Sequence, residues 1–260
     1  MRIRRLGWAG VELEDGERRI GIDVLCDASF FEPFVGEPLT PLPEPSGPYD
    51  AALVTHLHRD HADAPALAGA LRAGAPVLRP APEDGSGLER AATAQAEGEL
   101  AATGVTTRVV GAWETVRHDG LTFHALPAAD GTGDPQVSWI AELGGRRIVH
   151  CGDTLFHGWW WRAAMRHGPF DLALLPVNGP LVEFPHRRPA SPLPVAMTPE
   201  QAAVAAHLLG AALAVPIHYG TFSRAPVYFE PEPSAPAFLT HARELGVRAR
   251  VLEPGEALDL

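Results

Sequence analysis

The feature that most constrains this chain is a set of metal-binding side chains directly after a short apolar segment. Residues 51–54 read Ala-Ala-Leu-Val, and His56, His58, Asp60 and His61 follow at once. In an extended chain His56 and His58 project to the same side as the backbone leaves a sheet. Neutral imidazole and carboxylate are ligands of zinc, manganese and iron. The pattern therefore predicts a metal site at a strand end rather than a solvated polar loop.

Two later segments also place a polar side chain at the end of an apolar run. Residues 147–151 are followed by the turn Gly152-Asp153-Thr154, and residues 214–217 are followed by His218. Each pattern alone is weak, because Gly-Asp-Thr is an ordinary turn and one histidine after a strand is more often a core or surface residue. Together with the first cluster they favour a single site, with Asp153 as a bridging ligand and His218 as a late one.

The chain resembles the metallo-β-lactamase superfamily over most of its length, because these motifs occur in the same order as in that family. A finer likeness to bacterial hydrolases related to ascorbate-6-phosphate lactonase depends on Gly21-Ile22-Asp23 and Met197-Thr198-Pro199-Glu200. The resemblance implies an α/β fold, a four-layer αββα sandwich of the metallo-β-lactamase type. The site residues are scattered along the chain, so we expect one domain over residues 1–260.

One position departs from the family that the chain resembles. Members usually carry a third histidine for the first metal after a strand and a Pro-Ala step, and Asp130 stands there in this chain. A carboxylate can bind directly and would shift the preference from zinc toward manganese or iron; alternatively, the first site is disabled. His124 and Asp134 are the other candidate ligands, and the position of His124 inside a strand favours a sheet residue.

The resemblance implies two divalent ions per chain, which would be zinc, manganese or iron. The ligands expected for the first ion are His56, His58 and Asp130, those for the second are Asp60, His61 and His218, and Asp153 lies between them. Two neighbouring ions lower the pKa of a shared water to about 7, so metal-bound hydroxide is the expected nucleophile. Asp60 and Asp153 are the expected catalytic carboxylates.

These ligands predict a metal-dependent hydrolase of a small molecule, which would be a lactone, ester or phosphodiester. Only the finer resemblance favours a lactone or a phosphodiester among these substrates. Oxygen chemistry at iron is a second enzymatic hypothesis. A degenerate protein that binds one metal ion, or none, on the same scaffold is the non-catalytic alternative.

Composition bears on partners and location. Lysine and arginine total 21 against 32 acidic residues, a formal net charge of −11, which argues mildly against nucleic acid. No apolar run is long enough to span a bilayer. The two cysteines and the lack of an apolar secretion signal favour a cytoplasmic location. We therefore expect a small-molecule substrate, no nucleic-acid or membrane partner, and an oligomeric state that the sequence leaves open.

Helices are predicted from composition and apolar spacing. Their predicted ranges are Asp63–Ala73, Leu88–Ala102, Trp159–His167, Thr198–Leu209 and Ala235–Leu245. The best-supported helix start has Thr198 as the N-cap, Pro199 in the first helical position, and Gln201 placed to form the reciprocal hydrogen bond of a capping box. A last strand is predicted over Arg248–Leu252.

Two further segments have open interpretations. Within a proline-rich loop, His186-Arg187-Arg188 could hold a substrate carboxylate or phosphate, although a solvated charge cluster is the more ordinary explanation. The run Trp159-Trp160-Trp161 cannot place all three rings on one helix face, so at least one should lie near the surface or a pocket mouth. Asn178 could present its amide to the pocket or belong to a simple turn.

Overall fold

Two mixed β-sheets form the centre of the protein in a computed structural model that describes residues 1–185 and 187–260. The strands of the first sheet are β1 (Arg2–Arg5), β2 (Val11–Asp15), β3 (Arg18–Ile22), β4 (Ala51–Leu53), β5 (Pro76–Arg79), β6 (Thr106–Val109) and β15 (Ala257–Asp259). Their order is β15-β1-β2-β3-β4-β5-β6. Strands β1 to β3 pair antiparallel, whereas β3 to β6 pair parallel. The apolar run that makes β4 is wholly buried, as expected for a central parallel strand.

The second sheet continues the alternation of hairpins and parallel strands. Its strands are β7 (Thr115–His118), β8 (Leu121–Pro127), β9 (Val137–Leu143), β10 (Arg146–His150), β11 (Leu172–Pro176) and β13 (Ala214–Ile217). The order is β13-β11-β10-β9-β8-β7, with antiparallel pairs from β7 to β10 and parallel pairs from β10 to β13. A separate small ribbon pairs β12 (Leu181–Val182) with β14 (Tyr228–Phe229).

Five helices cover the outer faces of the sheets: α2 (Ala64–Ala70), α3 (Ala91–Thr103), α4 (Trp160–His167), α5 (Pro199–Leu209) and α6 (Ser234–Glu244). The short α1 (Glu32–Val35) instead contributes Val35 to the cluster between the sheets. An apolar cluster joins α2 and α3 to the first sheet through Leu67 and Leu100, and another joins α4 to α6 to the second sheet. A third cluster, which includes Leu53 and Trp139, lies between the sheets. The predicted four-layer αββα sandwich is therefore confirmed.

The local predictions are largely confirmed, with the predicted helices shifted by a few residues. The predicted strand at Arg248–Leu252 is wrong: this segment makes only an isolated bridge, between Ala249 and Ala214. No helix in residues 1–185 and 187–260 has the length and apolar character needed to cross a membrane.

The metal-binding residues predicted from the sequence follow strands that end at one edge of the sandwich. Strands β8, β10 and β13 run in the same direction, so their carboxyl ends share an edge. The end of β4 joins this edge, because Val137 donates its backbone N–H to the Thr55 carbonyl and His56 bridges to Gln136.

The start of α5 is a capping box whose removal should lower stability measurably. Thr198 Oγ1 accepts the Gln201 N–H at 3.3 Å, and the Gln201 side chain accepts the Thr198 N–H at 3.2 Å. Thr198→Ala should lower the free energy of unfolding by about 1 kcal/mol, because helix N–H groups lose their acceptor. Urea unfolding measures the change, and Thr198→Ser, which keeps the hydroxyl, is the control. An unchanged Thr198→Ala midpoint would contradict this role.

Candidate metal centre

The first group of candidate ligands brings together His56, His58, Asp130 and Asp153. His56 Nε2 lies 2.8 Å from His58 Nδ1, and Asp130 Oδ2 lies 4.0 Å and 3.7 Å from these two nitrogens. One ligand atom from each side chain falls within 4.8 Å of the others. Ligand atoms bound to one ion at about 2.0–2.2 Å lie at most about 4.4 Å apart, so small side-chain shifts suffice for this group to bind one ion.

The second group consists of Asp60, His61 and His218, all buried. Asp60 Oδ2 lies 3.5 Å from His61 Nε2, and the rings of His61 and His218 have centroids 5.2 Å apart. Asp153 is next to both groups, with Oδ1 at 3.8 Å from His56 Nδ1 and Oδ2 at 3.9 Å from His218 Nε2. The two groups thus contain the residues that the sequence assigned to the two ions.

In the first group, each histidine is fixed by a hydrogen bond at the nitrogen that faces away from Asp130. Thr55 Oγ1 donates to Asp23 Oδ2 at 2.7 Å, which leaves it to accept from His56 Nδ1 at 3.1 Å. His58 Nε2 donates to Asp134 Oδ2 at 2.9 Å. When both rings are neutral each has a single N–H, so the two nitrogens that face each other then carry lone pairs. A cation next to both would remove their repulsion.

The second group repeats this arrangement. His61 Nδ1 donates to Asp23 Oδ2 at 2.8 Å, and His218 Nδ1 donates to Asn178 Oδ1 at 3.1 Å. The Asn178 amide is oriented by its own bond to Tyr228, to whose hydroxyl Nδ2 donates at 2.8 Å. Histidines that bind metals usually donate their other N–H to a carboxylate or carbonyl, which fixes the tautomer and the ring.

Three buried atoms that face the centre have no hydrogen-bond partner among the described residues. They are His61 Nε2, His218 Nε2 and Asp130 Oδ2. Buried polar atoms are nearly always paired, and these belong to residue types that bind divalent transition metals. The donor set therefore fits metal ions, with imidazole and carboxylate in each group.

Burial and neighbouring carboxylates act in opposite directions on the histidine pKa values. Burial lowers the pKa of His56 and of His218 well below the usual range, so both rings stay neutral. Burial also acts to lower the pKa of His61, but the carboxylates of Asp23, Asp60 and Asp153 together outweigh it and raise that pKa to about 10. At His58 the hydrogen bond to Asp134 and the charges of the nearby carboxylates together outweigh burial and raise the pKa to about 9. Protons and metal ions therefore compete for these two rings.

Trp8, in the turn between β1 and β2, holds two ligands of the second group. Its indole Nε1 donates to Asp60 Oδ2 at 3.0 Å, and its carbonyl accepts the His218 N–H at 2.8 Å. Its ring lies 3.9 Å from the His218 ring, between centroids. Trp8 has a φ of 45°, an unfavourable conformation that persists only where the surroundings enforce it.

Sequence reasoning missed several residues that position the ligands. No local pattern distinguishes Trp8 or Gln136, whose Nε2 donates to Asp153 Oδ1 at 2.8 Å. Asp23 was noted only within a family-like motif, although its place at the end of β3 follows the same strand-end pattern as the ligands. Gly152, with φ 66°, allows the close approach of Gln136, because a Cβ there would lie 2.6 Å from Gln136 Nε2.

The alternative ligand candidates lie outside the two groups. His124 stays in the second sheet, where its Nδ1 is 2.8 Å from Thr115 Oγ1 and its Nε2 is 3.4 Å from Glu142. Asp134 contacts His58 from outside. Arg187 is not free to bind a substrate anion with its whole guanidinium, because it donates to Asp134 Oδ2 at 3.1 Å and to the Thr132 carbonyl.

The structure answers part of what the sequence left open for the loop at residues 186–188 and the three tryptophans. His186, the first residue of the predicted anion-binding cluster, lies outside the described residues. Of the three tryptophans, Trp160 is buried against the second sheet, while Trp159 and Trp161 are exposed.

Comparison with known proteins agrees with this geometry. The family model described as Beta-lactamase superfamily domain matches residues 18–219. A UPF0173 metal-dependent hydrolase of Thermus thermophilus is 35% identical over a 265-residue alignment, which covers 99% of this chain and 98% of that protein.

Two solved structures share the fold at low sequence identity. One is Igni18, a metallo hydrolase from Ignicoccus hospitalis, with a TM-score of 0.67, 21% identity, and coverage of 99% of this chain and 97% of that one. The other is CmlA, a diiron beta-hydroxylase from Streptomyces venezuelae, with a TM-score of 0.73, 16% identity, and coverage of 100% of this chain and 54% of that one. The family match and the T. thermophilus relative show that this chain belongs to the UPF0173 metal-dependent hydrolases of the metallo-β-lactamase superfamily.

Proposed function

We propose that this enzyme hydrolyses a small lactone, ester or phosphodiester with two divalent metal ions. The observation that carries the proposal is the common orientation of four histidines. His56, His58, His61 and His218 each have one nitrogen fixed to an outer acceptor and the other turned toward the carboxylates of Asp130, Asp60 and Asp153. Such an arrangement presents lone pairs to cations once His58 and His61 release their protons, so the side chains need to move little on binding.

Bound divalent ions would acidify a water molecule and polarise the oxygen of the scissile group. The residues of the chain supply the positioning. Gln136 holds Asp153 Oδ1, which leaves Oδ2 to orient a water molecule and to accept its proton. Trp8 fixes Asp60 Oδ2 and so keeps that carboxylate beside His61. No nucleophilic serine or cysteine is required: Cys151 is buried, and burial raises the pKa of its thiol far above neutrality.

The finer likeness to the ascorbate-6-phosphate lactonase group does not by itself select a substrate. Of its two motifs, the first supplies Asp23, which anchors His61, and the second supplies Thr198, which caps α5. Both side chains have roles in positioning or folding. The choice among lactones, esters and phosphodiesters therefore depends on experiment.

Metal content and turnover test the proposal together. Protein purified without chelators should carry two metal equivalents and hydrolyse p-nitrophenyl butyrate, a γ-lactone or bis(p-nitrophenyl) phosphate. Chelation should abolish turnover, and re-addition of zinc, manganese or ferrous ion should restore it. The His218→Ala variant should lose one equivalent, whereas His241→Ala, a change on the exposed side of α6, should keep both. One equivalent or none, without turnover of any substrate, would favour the degenerate binding protein instead.

A further inference from the structure

A cavity of about 450 Å³ adjoins the first metal group. Its wall contains Asp130, a member of that group, together with Asp134 and Gln136. The rest of the wall comes from residues 80–81 after β5, residues 110–112 after β6, and positions 128, 129, 133, 135 and 137 between β8 and the start of β9. This volume is within the range of about 300–1,000 Å³ that small-molecule sites occupy.

A larger cavity lies at the opposite edge of the sandwich and is separate from the chemistry. Its volume is about 620 Å³, and the hairpin turns β2–β3, β7–β8 and β9–β10 contribute to its wall. The charges there pair with one another, as Arg146 does with Asp171 at 2.7 Å. None of its lining residues belongs to either metal group. The cavity beside Asp130 is therefore the better candidate for substrate.

The wall of the cavity beside Asp130 is apolar except for its acidic side. Alanine, proline, valine and glycine make up the loop positions, and the lining residues include no lysine, arginine or histidine. Of the two carboxylates in the wall, Asp130 belongs to the first metal group and Asp134 is paired with Arg187 and His58. The wall therefore offers no free cation to an anionic ligand group. An alkyl group would instead gain free energy as it leaves water for an apolar surface.

We propose that this cavity binds the uncharged alkyl portion of the substrate's acyl group, so that the enzyme selects neutral acyl groups over acyl groups with a terminal carboxylate. The inference depends on the proposed function, because the scissile carbonyl would lie at the first metal group while its alkyl chain enters the cavity. Asp130 would then bind the ion through Oδ2 and also form part of the cavity wall.

Binding of compounds that cannot be hydrolysed tests the cavity independently of turnover. Butyrophenone is a neutral ketone with a propyl chain, and 3-benzoylpropionate is the matching anion. Ligand-observed NMR with the metal-loaded enzyme should show at least about tenfold tighter binding of butyrophenone. Ala112→Phe should weaken butyrophenone binding by a similar factor, because the ring occupies the cavity at an exposed lining position. Ala102→Phe, at an exposed site on α3, is the matched control.

Turnover separates the failure of this inference from the failure of the proposed function. With p-nitrophenyl acetate and butyrate, Ala112→Phe should lower kcat/KM for butyrate more than for acetate. Ala112→Lys should raise kcat/KM for the mono-p-nitrophenyl ester of succinate relative to butyrate, since it places a cation in the wall.

Each outcome of these experiments decides one of the two proposals. Equal binding of the two ketones, or unaltered butyrophenone binding in Ala112→Phe, overturns the inference even if esters are hydrolysed. Selective binding without turnover of any ester, lactone or phosphodiester would leave the cavity as a neutral-ligand site and overturn the proposed function.

Discussion

Replacement of Asp153 by asparagine is expected to lower kcat/KM by at least about a hundredfold and to release at least one metal equivalent. Asp153 lies within 4 Å of a histidine from each group, His56 and His218. Asparagine has nearly the same shape and can keep the bond from Gln136 through its amide oxygen. Its NH₂ group would then face His218 Nε2 and occupy the lone pair that a metal ion needs. Metal analysis and steady-state kinetics measure both effects.

The same substitution should stabilise the metal-free protein. Burial raises the pKa of Asp153 to about 7, and the Asp130 and Asp60 carboxylates add to this shift. An acid whose pKa is raised in the folded state lowers stability as the pH rises above its unfolded value of about 3.9, with the full effect above about 7. Asparagine removes this charge, so at pH 8 the metal-free variant should melt at a higher temperature than the metal-free wild type.

Added metal should reverse that order, because ions stabilise the wild type by binding only its folded state. Asp171→Asn is the control, since Asp171 is a surface carboxylate paired with Arg146, and it should leave metal content and turnover unchanged. An Asp153→Asn protein that holds two equivalents at wild-type affinity would remove Asp153 from the centre.

The two groups of candidate ligands were predictable because their signals are local in sequence. His56 to His61 follow a buried strand directly, and Asp153 and His218 follow two others, so the strand-end rule places all of them at one edge. The helix start at Thr198 was predictable for the same reason, since a capping box lies within four residues.

The supporting residues were not predictable, because their roles arise only from tertiary contacts. Trp8 is 52 positions from Asp60 and 210 from His218, and nothing in its neighbouring sequence indicates either contact. Asn178 follows a buried strand, but only the fold shows that its amide oxygen meets His218. The error at Arg248–Leu252 has a similar origin, since an alternating pattern does not reveal whether a neighbouring strand offers a full ladder.

Substitution of Asp130 is the second prediction with a large expected effect on the metal centre. Members of the family usually have a histidine at this position. Asp130 Oδ1 accepts from the backbone of Thr132 and, at 3.0 Å, from that of Gly133, so the loop fixes the carboxylate. Its Oδ2 is buried, has no hydrogen-bond partner in residues 1–185 and 187–260, and lies nearest His58 and His56. This geometry favours a ligand over a disabled site.

Asp130→Asn should therefore weaken metal binding at the first group by roughly 10–100-fold, with a similar loss of kcat/KM. The amide oxygen of the new side chain can keep the hydrogen bonds from Thr132 and Gly133. Its NH₂ group would then face the two histidines in place of a carboxylate oxygen. Asp134→Asn is the matched comparison, because Asp134 acts on His58 from outside and an amide oxygen can still accept from its Nε2. We expect that variant to lose much less affinity.

Asp130→His completes the series, because it restores the residue type that the family usually has. Imidazole is a softer donor than carboxylate, so this variant should bind zinc more tightly relative to manganese than the wild type does. Competition titrations with a chromogenic chelator give both affinities for each protein. If Asp130→Asn and Asp134→Asn weaken binding equally, and Asp130→His leaves the ratio of zinc to manganese affinity unchanged, Asp130 is a loop residue and the first group has only three ligands.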